Sequence, residues 1–71
     1  MADKFYCGSA PTSCDICSHP ITETFVDGKT NMGPWGNMCP SCHGSHGCGL
    51  GTGRGQKYQR QPDGRWLKVG G

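Results

Sequence analysis

Two short cysteine pairs constrain this chain more than any other feature. Cys14 and Cys17 form one Cys-x-x-Cys pair, Cys39 and Cys42 form a second, and residues 18–38 separate them. Two residues between cysteines allow a tight turn to direct both sulfur atoms to one point, and two such pairs complete a tetrahedron. Thiolates in this geometry favour zinc or iron over magnesium or calcium. The spacing, which is close to that of four-cysteine zinc sites, predicts one structural Zn²⁺.

A metal cross-link suits a chain that has little else to stabilise it. Of its 71 residues 13 are glycine, and only 32% are hydrophobic. Glycine loses more backbone entropy on ordering than other residues, and so short a chain buries too little surface to compensate easily. Disulfide bonds are the alternative cross-link. We recognise no secretory signal and no membrane-spanning run, so we expect a cytoplasmic protein without membrane association, in which cysteines bind metal more often than they pair.

The composition changes along the chain in a way that predicts four segments of one zinc-binding domain. No internal repeat is present beyond the doubled cysteine pair. The expected segments are a loose polar lead (residues 1–13), the zinc knuckles (14–42), a glycine-rich connector (43–55) and a basic hairpin (56–71).

The region between the cysteine pairs predicts a hairpin of its own. Residues 21–26 and 29–32 contain strand-forming side chains, and Asp27-Gly28 lies between them. Asp-Gly is typical of a two-residue hairpin turn, because both turn positions need a positive φ. No stretch has helical periodicity of useful length. We therefore expect a small metal-stabilised β fold without helices.

The C-terminal segment predicts a second hairpin, with its turn at residues 62–64. Pro-Asp-Gly suits a type I turn followed by a residue in the left-handed conformation, which makes a three-residue loop. That loop length pairs Tyr58 with Lys68 and Arg60 with Trp66. One face of the hairpin then alternates aromatic and basic side chains, and we expect the opposite face to pack on the core.

Basic charge is concentrated in this C-terminal part. Residues 1–50 carry two basic and four acidic side chains, whereas residues 51–71 carry five basic and one acidic. Aromatic rings that stack on bases and cations that contact phosphates are the usual means of binding nucleic acid. We expect contact with nucleic acid or a nucleic-acid enzyme through Arg54, Lys57, Tyr58, Arg60, Arg65, Trp66 and Lys68. The alternative is that Trp66 packs on the fold and the charges only keep the domain soluble.

Four further residues leave the ligand assignment open. His43 directly follows Cys42, so it either replaces a cysteine or donates a hydrogen bond to a thiolate. Cys7, His46 and Cys48 could join His43 in a second metal site. The alternative is that they are a buried thiol, an exposed thiol and a solvated imidazole.

The sequence argues against catalysis. Cys39-Pro-Ser-Cys42-His43 has the form of a haem attachment motif, but no export signal or apolar pocket accompanies it. Thioredoxin-type redox chemistry needs a helix behind the cysteine pair, and none is predicted. Four thiolates also leave zinc without an open position for water. We expect no enzymatic activity and no small-molecule substrate.

From Cys14 through Cys42 the chain resembles zinc ribbons, in which two knuckles on β-hairpins share one metal. The resemblance implies short antiparallel hairpins, here continued by the connector and the basic hairpin. The layout also resembles the small zinc-finger proteins of tailed bacteriophages, which have a Cys-Pro-x-Cys-His knuckle and a glycine-rich, basic end. This implies a place in the host cytoplasm or the virion, and an alternative role in protein interaction or assembly. Such a role would need an exposed apolar surface around Trp35 and Met38.

Overall fold

The described part of the chain is built around one antiparallel sheet with a short helix. The computed structural model describes residues 4–6, 8 and 10–71. The sheet has the strand order β2-β1-β3-β4, and each neighbouring pair is antiparallel. No helix among these residues is long and apolar enough to cross a membrane. The elements are β1 (Thr24–Lys29), β2 (Trp35–Met38), α1 (Pro40–His46), β3 (Gly55–Arg60) and β4 (Trp66–Gly70).

The predicted turn at Asp27-Gly28 is wrong, because β1 runs straight through both residues. The chain reverses later, between Thr30 and Pro34. There the backbone N–H of Gly33 donates to the Thr30 carbonyl at 3.1 Å, and the N–H of Thr30 donates to the Pro34 carbonyl at 3.1 Å. The hairpin between the cysteine pairs therefore exists, with a turn several residues further along the chain.

Gly28 is needed for a close approach of two strands. A Cβ atom at this position would lie 2.9 Å from the carbonyl oxygen of Arg54 and 3.2 Å from the Cα atom of Gly55. Both of these are backbone atoms, which cannot move aside without displacing β3. The Asp-Gly pair therefore occupies the centre of the sheet because the glycine fits there.

We expect Gly28→Ala to lower the free energy of unfolding by about 2 kcal/mol, since the methyl group would force β1 and β3 apart. Chemical denaturation of the metal-loaded protein measures this. Gly44 is a matched control, because it lies in α1 and a Cβ atom there meets nothing within 4 Å. Gly44→Ala should raise stability by about 0.5–1 kcal/mol through helix propensity. Equal stability of the two variants would contradict the close approach.

The C-terminal hairpin has the predicted register. Tyr58 lies opposite Lys68 and Arg60 lies opposite Trp66. In the loop, Gly64 has a φ of 91°, the left-handed conformation that the three-residue turn requires. Local turn chemistry was sufficient here because the three-residue turn connects the two strands directly and so determines which residues lie opposite each other.

The aromatic face of this hairpin belongs to the core, contrary to the expectation that the opposite face packs inward. Phe25 on β1 is 0% exposed. Its ring is stacked on Tyr58 at 5.2 Å between centroids, and it meets the rings of Trp66 at 5.0 Å and Tyr6 at 5.2 Å edge to face. Val69 remains exposed. The register places Val26 and Met38 on the other face of the sheet, where they are also buried.

Residues 4–6, which belong to the segment expected to be loose, lie along the outer edge of β4. Phe5 pairs with Leu67 in an antiparallel bridge. The N–H of Tyr6 donates to the Trp66 carbonyl at 2.9 Å, and the N–H of Lys68 donates to the Lys4 carbonyl at 2.8 Å. This pairing covers the edge of β4 and places Tyr6 over the aromatic core.

The glycine-rich segment is partly helix and partly a tight turn. Helix α1 extends to His46, so the first residues of the expected connector are helical. Further along, the N–H of Gly51 donates to the Gly55 carbonyl at 2.9 Å and the N–H of Gly55 donates back to Gly51 at 3.0 Å. This turn leads the chain directly into β3.

Candidate metal centre

The sulfur atoms of the four paired cysteines come together at one point. Those of Cys14, Cys17, Cys39 and Cys42 all lie within 4.8 Å of one another. The Cys17 and Cys39 sulfurs are 3.8 Å apart. A tetrahedral zinc ion with Zn–S bonds of about 2.3 Å requires sulfur–sulfur distances of about 3.8 Å. The four cysteines are therefore positioned to bind one metal ion.

The first pair lies in a tight turn closed by backbone hydrogen bonds. The N–H of Cys14 donates to the His19 carbonyl at 2.9 Å, and the N–H of Ser18 donates to the Cys14 carbonyl at 2.9 Å. Ser18 has a φ of 63°, which allows the chain to reverse sharply after Cys17. The N–H of Ile16 donates to the Cys14 sulfur at 3.4 Å. The turn thus orients Cys14 inward, where it is buried.

Asp15, between the first two cysteines, connects this turn to β2. Its N–H donates to the Asn37 carbonyl at 2.8 Å, and its carboxylate accepts the Asn37 N–H at 2.8 Å. Asn37 is two residues before Cys39, so the two hydrogen bonds hold the two cysteine pairs at a set separation. Gly36 leaves room for the carboxylate, since a Cβ atom there would lie 3.3 Å from it. Sequence reasoning missed Asp15, because its partner is remote in the chain.

The second pair begins a helix, so the prediction of a helix-free fold is wrong. Cys39 is the N-cap residue of α1, and its sulfur accepts the N–H of Cys42 at 3.5 Å. Pro40 occupies the first helical position, where its fixed φ is favourable and its missing N–H costs nothing. Pro40 itself was the available signal, since proline is common at the first helical position. The helix has only 7 residues, too few for periodicity to reveal it.

The thiols of the centre differ strongly in their readiness to ionise. Burial acts to raise the pKa of Cys14, but the backbone N–H groups of Cys17, Cys39 and Ile16 outweigh it and lower that pKa to about 6. Burial, the neighbouring thiols and repulsion from Cys14 raise the pKa of Cys42 to about 12. A cation held by these four thiols would offset this repulsion and would displace the remaining protons. Because protons compete with the metal, a fall in pH weakens metal binding.

His43 lies beside the centre with its ring bonded elsewhere. Its Nε2 atom is 3.0 Å from the carbonyl oxygen of Gly49, which anchors α1 to the glycine-rich segment. In the part of the chain that the structure describes, His43, His46 and Cys48 do not assemble into a second group of three or more metal-ligating side chains. Cys7 lies outside the described residues, so a second site that includes it stays a prediction.

Part of the predicted binding surface comes together on the face that carries Phe25. Tyr58 and Arg60 alternate along β3 on this side, as Trp66 and Lys68 do along β4. The pairing of residues 4–6 with β4 adds a lysine and a tyrosine to the same side. We call this surface the basic–aromatic face, and it consists of Lys4, Tyr6, Tyr58, Arg60, Trp66 and Lys68.

The other predicted binding residues lie elsewhere. Lys57 is on the opposite side of β3, and Arg54 is exposed in the turn that precedes this strand. Arg65 is bonded to Asp63 through its Nε atom at 2.7 Å, and its guanidinium lies 4.2 Å from the centre of the Phe5 ring. The seven residues therefore do not form one continuous surface.

Comparisons with models of protein families, with curated proteins and with solved structures find no match for this chain. The structure itself gives the class of this protein. It is a small antiparallel β domain with one short helix and four cysteines positioned to bind one metal ion. The resemblances to zinc ribbons and to small phage proteins rest on the cysteine pairs and the layout of the chain.

Proposed function

We propose that this protein is a non-enzymatic zinc module that binds nucleic acid through its basic–aromatic face. The observation that supports the proposal is the placement of Lys4, Arg60 and Lys68 around half-buried aromatic rings on one side of the sheet. The cations would contact phosphates, and Tyr6 and Trp66 would offer ring surface to bases. A nucleic-acid enzyme with bound substrate would present the same chemistry.

Zinc has a structural role in this proposal. Thiolate ligands and a sulfur–sulfur distance of 3.8 Å suit tetrahedral Zn²⁺. The ion would connect the turn at residues 14–17 to the start of α1, and so secure both to the edge of the sheet. Four thiolates fill its coordination sphere, which leaves no position for a reacting water.

The charge balance of the hairpin favours an anionic ligand. Asp63 is the acidic residue of the C-terminal segment, and the backbone N–H and guanidinium of Arg65 hold the pKa of its carboxyl below the usual range. The charges of Asp63 and Arg65 therefore neutralise each other. Arg60 and Lys68 are then opposed by little negative charge on their own hairpin, so a phosphate backbone is a suitable counterpart.

The test is the salt dependence of binding to a fluorescent single-stranded oligonucleotide. We expect Arg60→Glu/Lys68→Glu to reduce the slope of log affinity against log salt by about 1.4, since each phosphate contact on a single strand contributes about 0.7. Arg54→Glu/Lys57→Glu changes net charge equally outside the face and should leave most of the slope intact. Equal effects of the two double variants, or no salt-dependent binding, would argue against the proposal.

Protein interaction, including assembly as a small phage accessory or virion-associated protein, is the second candidate. It is favoured by the exposed apolar side chains of Met32 and Trp35. The expectation that Met38 would share this surface is wrong, because Met38, the last residue of β2, is fully buried. The apolar surface lies at the opposite edge of the sheet from the C-terminal hairpin, so the two candidates use different parts of the molecule.

A further inference from the structure

An apolar cleft of about 300 Å³ lies between the first cysteine pair and the turn that joins β1 to β2. Ile16, Met32, Pro34 and Trp35 supply most of its lining. Met32 is 65% exposed and Trp35 is 49% exposed. Soluble domains rarely expose a cluster of large apolar side chains, and such a cluster often marks an interaction site.

Both walls of the cleft are held in place before any partner arrives. The hydroxyl of Thr30, a buried residue, donates to the Pro34 carbonyl at 2.7 Å. The N–H of Asn31 donates to the His46 carbonyl at 2.7 Å, which fastens the turn to α1. Ile16 belongs to the metal-binding turn. A partner would therefore meet a preorganised surface, which reduces the entropic cost of binding.

The charge in the cleft indicates what kind of ligand it accepts. Among the described residues that line it, Asp15 is the only one with a charged side chain. Its carboxylate is oriented by the 2.8 Å hydrogen bond from Asn37. No cation in the described part of the chain forms a salt bridge with the Asp15 carboxylate. This negative charge repels phosphate, so the cleft does not extend the nucleic-acid surface. It attracts a lysine or arginine instead.

We propose that this cleft binds an extended segment of a partner protein in which a large apolar side chain stands next to a lysine or arginine. The apolar side chain fills the space against Trp35 and Met32, and the cation pairs with Asp15. The cleft shares no residue with the basic–aromatic face. The two proposals can therefore be tested independently. Together the two surfaces would make the module an adaptor.

The experiment is a selection of random displayed peptides on the full-length, zinc-loaded chain, followed by affinity measurement on synthetic copies. We expect the selected peptides to combine a large apolar residue with an adjacent lysine or arginine. Trp35→Ala should lower the affinity for these peptides about 30-fold, as expected for an interface hot spot. Asp15→Asn keeps the acceptor for the Asn37 N–H but removes the charge, and should weaken them about threefold.

Val69→Ala is the matched control, because Val69 is a similarly exposed apolar residue outside the cleft. It should leave affinity unchanged, and native mass spectrometry should find the same zinc content in every variant. Selection of acidic peptides, or of peptides that bind Trp35→Ala equally well, would overturn the proposal. So would self-association of the chain that Trp35→Ala abolishes, since that result would assign the cleft to a second copy.

Discussion

Removal of the metal is expected to unfold this protein. The buried side chains of the described residues are few: Cys14, Ile21, Phe25, Val26, Thr30 and Met38. One of them is itself a proposed ligand. Zinc contributes on the order of 10 kcal/mol in small zinc domains at neutral pH, which is comparable to the entire stability of an ordinary domain. Without it, the turn at residues 14–17 and helix α1 would lose their connection.

Titration with a chelator, followed by circular dichroism and native mass spectrometry, measures this effect. We expect one zinc ion per chain and loss of the sheet signal in step with loss of metal, reversed when Zn²⁺ is returned. Cys14→Ser should abolish tight binding, whereas Cys48→Ser, at an exposed cysteine outside the cluster, should retain it. A folded chain without metal would refute the structural role. Two zinc ions would indicate a second site.

Truncation of Phe25 is expected to have the largest effect of any apolar substitution. The side chain is 0% exposed and contacts three aromatic rings. Phe25→Ala should lower the free energy of unfolding by about 3–5 kcal/mol, because it removes buried apolar surface and leaves a cavity between the rings. In so small a domain this loss would leave much of the population unfolded even with zinc bound.

Urea denaturation of the zinc-loaded variants tests this prediction. Phe25→Leu retains most of the buried volume and should cost much less than Phe25→Ala. Val69→Ala, at an exposed site on β4, should change stability by less than about 0.5 kcal/mol. A Phe25→Ala variant as stable as the Val69→Ala variant would show that the aromatic cluster contributes little to the fold.

Features that depend on neighbouring residues were predictable from the sequence. The Cys-x-x-Cys spacing brings the two sulfurs of each pair together, in a tight turn at residues 14–17 and at the start of α1 for the second pair. The doubled pair indicates a shared metal. The loop at residues 62–64 likewise determined which residues of the C-terminal hairpin lie opposite each other. In both cases the deciding interactions lie within a few residues along the chain.

The role of Asp15 and the start of α1 could not be predicted from neighbouring residues. Asp15 was indistinguishable from any other residue between two cysteines, because its hydrogen-bond partner, Asn37, lies on a remote strand. The helix that begins at Pro40 is short, and its N-cap is a cysteine, a residue that sequence reasoning assigns to metal alone. Asp15 connects the first cysteine pair to β2, and Cys39 caps α1 in addition to its place in the cysteine cluster. Both roles can be seen only in the folded structure.

The sequence by itself determined the two cysteine pairs as the candidate metal site and the register of the C-terminal hairpin, because both follow from local spacing. The tertiary structure decided the course of β1 and the inward side of the sheet. Asp27-Gly28 would turn in an isolated hairpin, but β1 gains β3 as a second neighbour, and the glycine is used for their close approach. Phe25 packs against Tyr58 and Trp66, so this side of the hairpin faces the core. The free energy gained by burying apolar rings decides which side is inward, and the sequence of the hairpin alone does not show it.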